Sequence, residues 1–73
     1  MEFAVIFEHG PTSVGAYVPD LPGCVAVGAT MDEARQLIQD AIALHLAGML
    51  EDGVPLPTPA SHSAMVTVPV STP

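Results

Sequence analysis

The chain contains no lysine, and Arg35 is its single strong base. Against it stand Glu2, Glu8, Asp20, Asp32, Glu33, Asp40, Glu51 and Asp52, for a formal net charge of −7 over 73 residues. Such a field repels phosphate backbones and anionic bilayers, which argues against direct nucleic-acid binding and against a membrane-surface role. Its natural complement is a basic protein. Tryptophan is absent, and Phe3, Phe7 and Tyr17 are the whole aromatic set. A stacking platform for single strands or sugars needs more. Cys24 has no second cysteine to pair with, so the chain has no internal disulfide. A lone thiol suits a reducing compartment, and the chain reads as cytoplasmic. One cysteine and the scattered His9, His45 and His62 show no ligand spacing for zinc. No basic region precedes an apolar stretch at the N-terminus, as a targeting segment would require. The longest apolar block, residues 41–50, contains His45 and is too short to span a bilayer.

What is present is one small domain covering 1–73. A domain of this size buries only about 60% of the surface its unfolded chain exposes. Chains near this limit draw on a disulfide, a metal or a partner subunit for stability. With the first two missing, self-association into a dimer or tetramer is expected.

Apolar periodicity outlines the elements. Phe3, Val5 and Phe7 alternate across 2–8, which predicts a strand. The cluster His9-Gly10-Pro11-Thr12-Ser13 reads as a turn, and 14–18 as a second strand antiparallel to the first. Pro19, Pro22 and Gly23 then make a stiff corner, and 24–27 reads as a short third strand. Thr30 with Glu33 three residues on is a capping box, with Asp32 and Glu33 in the first turn where the helix dipole favours anions. The helix is expected over 31–52, closed by Gly53 and Pro55. Pro55, Pro57 and Pro59 make an extended arm. Val66, Val68 and Val70 alternate in a fourth strand over 64–70, at an edge or ending at Pro69. The order β-β-β-α-β gives an α+β fold, a four-stranded sheet with one long helix on one face. The right-handed crossover would set the fourth strand parallel to the first.

The helix changes character along its length. Met31, Ala34, Leu37, Ile38 and Ala41 form an inward stripe in its first half, whereas 41–50 is apolar all round. Gly48 in mid-helix costs roughly 1 kcal/mol relative to alanine, and close approach of another backbone is one compensation. Ile42, Leu46, Gly48 and Leu50 are therefore the expected oligomer interface.

No catalytic pattern emerges. Asp32-Glu33 and Glu51-Asp52 are helix-end pairs, the first with a capping role and the second solvated. Cys24 on a short apolar strand reads as a small core residue, and His45 as a core or interface histidine. No glycine-rich phosphate loop is present. Catalytic residues, cofactors and metals are all expected to be absent.

Three stretches carry a family resemblance. They are Tyr17-Val18-Pro19-Asp20-Leu21-Pro22-Gly23-Cys24, then Gly28-Ala29-Thr30-Met31-Asp32-Glu33-Ala34, and then residues 41–46 with Glu51-Asp52-Gly53-Val54-Pro55-Leu56-Pro57. Together they resemble the HicB family of antitoxins over nearly the whole chain. The resemblance implies a truncated ribonuclease H-like domain that neutralises a small basic messenger-RNA interferase of the HicA type by covering its RNA-binding surface. Many members add a C-terminal DNA-binding module; only Ser71-Thr72-Pro73 follow the last expected strand, so no such module is expected here. Ribonuclease H chemistry does not transfer, because Glu2 and Glu8 sit more than ~15 Å apart along one strand and cannot share a metal pair. The expected toxin contacts are the acids Glu8, Asp20 and Glu51 at a rim, with Tyr17 and Leu21 as apolar anchors. The rival reading is an orphan homo-oligomeric module that binds a small ligand or another protein. A residual nuclease is the third.

Overall fold

A computed structural model describes residues 1–71 of the chain. Its elements are β1 (Ile6–His9), β2 (Val14–Tyr17), β3 (Val25–Gly28) and α1 (Met31–Glu51). The strands form an antiparallel meander in the order β1-β2-β3. Phe7 lies opposite Ala16, and Ala16 opposite Ala26. Directly opposed residues share a face, so these three, with buried Val14 on β2 and buried Val18 just beyond its end, point toward the helix. The alternate set, Ile6 with Tyr17 and Val25, and Glu8 with Gly15 and Val27, occupies the outer face.

Local chemistry sets each boundary. Gly10 donates its N–H to the Ser13 carbonyl at 2.8 Å and closes the first hairpin. In the 19–23 corner, Leu21 N–H meets the Val18 carbonyl at 3.1 Å and Cys24 N–H meets the Leu21 carbonyl at 3.0 Å. Pro22 followed by Gly23 at φ +83° is the residue pair a type II turn requires. Leu21, 1% exposed, is thereby driven into the core.

The helix begins as its capping sequence predicts. The Thr30 hydroxyl accepts from Glu33 N–H at 3.1 Å, while the Glu33 carboxylate accepts from Ala29 N–H at 2.9 Å. The reciprocal bond thus reaches one residue further back than the usual capping box. At the other end Gly53 takes φ +70°, with Gly53 N–H on the Leu50 carbonyl and Val54 N–H on the Met49 carbonyl. That pair of bonds is a Schellman motif. The start of the helix lies so close to β3 that a Cβ on Gly28 would stand 2.5 Å from Ala34 N. Glycine at 28 is what allows the helix to fold straight back over the sheet.

The helix packs chiefly on β3 and then on β2. Ala34 and Ile38 are buried, and Ala41, Ile42 and Leu46 pack part-buried against the cluster of Ala16, Val18, Leu21, Cys24 and Ile38. Of the residues expected at an oligomer interface, Ile42 and Leu46 pack toward the sheet in the single chain, while Leu50 is exposed together with Leu37 and Leu44. The reason is the phase of the helix, since Ala34, Ile38, Ile42 and Leu46 recur every four residues along one line. No atom beyond the helix's own backbone comes within 4 Å of a Cβ built on Gly48.

The expected fourth strand is not formed. The structure gives residues 64–70 no strand, and Met65, Val66, Val68 and Val70 are 68–100% exposed. The sheet has three strands and β1 is an open edge. The three arm prolines keep the chain extended as it leaves the helix, and 64–70 finds no ladder partner.

Candidate partner-binding surface

Among the described residues, the sheet leaves two apolar surfaces open. The first is the outer sheet face, where Tyr17 stands between Ile6 and Val25 in cross-strand register. Val25 and Val27 are 63% and 65% exposed and Tyr17 is 40% exposed. Glu8 lies in the next cross-strand row of the same face, opposite Gly15 and beyond it Val27. Exposed apolar area of this kind, edged by charge, is typical of protein interaction sites.

The second surface follows from the helix's position. Because α1 covers β3 and β2, the inner side of the first strand is only half covered. Phe3, Val5 and Phe7 line a cleft of about 490 Å³ with Ile38 and Ile42 on the far wall, and Glu2, Arg35 and Gln39 also line it.

Asp20 does something the sequence did not suggest. One carboxylate oxygen accepts from Ala60 N–H and Ser61 N–H, both at 2.9 Å, and the other accepts from the Ser61 hydroxyl at 2.8 Å. The Ser61 N–H, then the Ala60 N–H, the Ser61 hydroxyl and nearby His62, hold this carboxyl below the usual carboxylate value. A second cleft, of about 340 Å³, lies between residues 2–4 and 59–63. Asp20 is therefore a clip for the base of the arm.

Of the expected contact residues, Glu8 and Tyr17 share the outer face. Glu51 is exposed at the end of the helix. Leu21 is core, and Asp20 is half-buried and hydrogen-bonded to the arm. Ala60 and Ser61 were missed by sequence reasoning. The available signal was one polar hydroxyl after the last arm proline, and nothing in the linear pattern pairs it with Asp20. Cys24 is buried, and desolvation pushes its thiol pKa up. Among the described residues, no group of three or more His, Cys, Asp or Glu is placed to hold a metal ion. Likewise among them, no helix is long and apolar enough to cross a membrane.

A three-stranded meander under one helix, with open apolar surface and dispersed acids, defines a small acidic α+β domain. Residues 3–70 match the family described as HicB-like antitoxin of bacterial toxin-antitoxin systems, and the chain belongs to that family. It is 36% identical over 72 residues to Antitoxin HicB 2 of Photorhabdus laumondii, covering 97% of this chain and 52% of that protein. It is also 50% identical over 40 residues to an uncharacterized 14.9 kDa protein in the rep-hol intergenic region of Haemophilus phage HP1, covering 55% of this chain and 30% of that protein. The chain thus spans about half or less of the length of these relatives. No solved structure matches significantly.

Proposed function

We propose that this chain is a non-catalytic, cytoplasmic antitoxin domain that binds a small basic HicA-type messenger-RNA interferase and masks its RNA-binding face. Membership of the HicB-like family carries the reading. The net charge of −7 supports it, since complementary fields speed encounter with a basic protein and keep RNA away. The outer sheet face is the proposed contact, with Tyr17 as anchor and Glu8 on its rim; Glu51 is a separate peripheral acid. The fold is taken as a truncated ribonuclease H-like domain that acts by binding alone, without nucleic acid or membrane as direct partners.

The exposed arm and outer face also favour a second reading, an orphan homo-oligomeric binding module. Co-expression with a neighbouring basic reading frame, one partner tagged, separates the two. A stable complex that abolishes the partner's RNA cleavage supports the antitoxin. Failure to co-purify at low salt, or RNA cleavage that continues in the complex, rejects it.

A further inference from the structure

We propose that residues 64–70 of one copy add as a strand to the open β1 edge of a second copy, giving a reciprocal strand-exchanged dimer. Three features of the chain meet in this arrangement. The first is the donor. Val66, Val68 and Val70 alternate along an extended segment and are 78%, 68% and 81% exposed. The family match runs on to residue 70, so this segment belongs to the shared domain. An isolated extended segment with one apolar face gains nothing in water; it becomes stable by pairing and burial.

The second is the acceptor. Among the described residues β1 is hydrogen-bonded only to β2, so its other side presents unpaired N–H and C=O groups. Beside it lies the cleft over Phe3, Val5 and Phe7 that the helix leaves open. A strand laid on that edge extends the sheet and continues its inner face. With side chains alternating at a period of two, Val66, Val68 and Val70 then face the cleft together. The segment 64–70 is long enough to run beside the whole of β1, which has four residues.

The third is shape. The radius of gyration is 15.2 Å, against about 11 Å expected for a compact chain of this length. The accessible surface is 5569 Å², some 1,300 Å² above the ~4,200 Å² expected of a compact monomer of this mass. A standard interface takes about 800 Å² from each partner. The Asp20 clip fixes where the arm leaves its own domain, and 64–70 then extends without returning to its own β1 edge. A twofold axis placing two such domains edge to edge gives each arm the other's empty seat. The proposal involves no toxin and stands apart from the antitoxin reading.

The test uses the chain alone. Sedimentation at 10–200 μM is combined with isotope-filtered NMR on a mixture of ¹³C-methyl-labelled and ¹⁵N-labelled copies. The expected result is a 15 kDa species, with contacts from Val66 and Val68 methyls of one copy to β1 amides of the other. Val66→Glu with Val68→Glu should give a 7.5 kDa monomer with an unchanged helical spectrum. A wild-type monomer across this range overturns the proposal. So does a dimer whose arm contacts fall on β3, on the outer sheet face or within one copy, and so does a double variant that remains dimeric.

Discussion

The Asp20 carboxylate grips Ser61, 41 residues further along the chain, through both the backbone N–H at 2.9 Å and the side-chain hydroxyl at 2.8 Å. It joins the 19–23 corner to the base of the proline arm. The corner is itself anchored by Leu21 in the core, so the clip ties the arm to a segment that packs into the domain.

Acid should open this clip. Hydrogen bonds to the charged form lower the Asp20 pKa from its ordinary 3.8. Its stabilising contribution is complete above that ordinary value and is lost as pH falls through the lower folded value. The Ala60 and Ser61 amide resonances should therefore move together as pH falls below about 4. Asp20→Asn should remove the transition and narrow the amide shift dispersion of 59–63. A retained acid transition in that variant would assign the effect to another group.

Two glycines should respond oppositely to alanine. At Gly28 the new Cβ would meet Ala34 N at 2.5 Å and Ala34 Cα at 2.9 Å, both backbone atoms that cannot rotate away. Gly28→Ala should lower stability by about 1–3 kcal/mol, through displacement of the helix start. At Gly48 the added methyl meets open space, and Gly48→Ala should raise stability by roughly 1 kcal/mol from helix propensity. Urea midpoints at constant m check both. A loss of assembly in Gly48→Ala would instead mean that a second copy's backbone approaches there.

The phase of the helix gives a third contrast. Leu46 packs against the core cluster, whereas Leu44 is 77% exposed. Leu46→Glu should destabilise the fold by roughly 1–3 kcal/mol, and Leu44→Glu should stay within about 0.5 kcal/mol of the parent. Thermal unfolding followed by circular dichroism distinguishes them. Equal effects would place the helix face differently.

These contrasts also mark what one-dimensional reading could reach. Three strands and the helix were legible because their signals are local: alternation in 14–18, the Pro22-Gly23 turn, the Thr30–Glu33 cap and the Gly53 stop. Their observed limits fall close to those expected, except that β1 starts at Ile6 and not at residue 2. The alternation of Val66, Val68 and Val70 was equally clear, yet it specifies only a capacity to pair. Whether a strand forms depends on a partner edge, which is not written in the segment. The sheet-facing position of Ile42 and Leu46 was not legible because 41–50 is apolar all round, and such a run carries no phase of its own. Only the position of Ala34 and Ile38 against the sheet fixes which side turns inward. The surroundings of Leu21 and Asp20 were hidden for a related reason: the corner turns one into the core and offers the other to a serine 41 residues away.

Cys24 supplies the last test, because its chemistry reports on the core that the corner closes. The side chain is 4% exposed within the cluster of Ala16, Val18, Leu21 and Ile38. Burial raises its thiol pKa above the ordinary 9.0, so the folded state holds the proton more tightly than the unfolded state does. Stability from this group is complete below that ordinary value and falls as pH rises toward the folded value. The thiolate is the reactive form. A disulfide reagent at pH 8 should therefore modify the folded chain far more slowly than the urea-unfolded chain. If reaction requires opening of the core, its rate should follow the population of the open state as urea is added. Leu21→Ala removes the side chain that caps the corner and should speed the reaction at least tenfold through a loss of about 2–5 kcal/mol. Rapid modification of the parent chain, at the rate of a free thiol, would show that the corner does not seal the core.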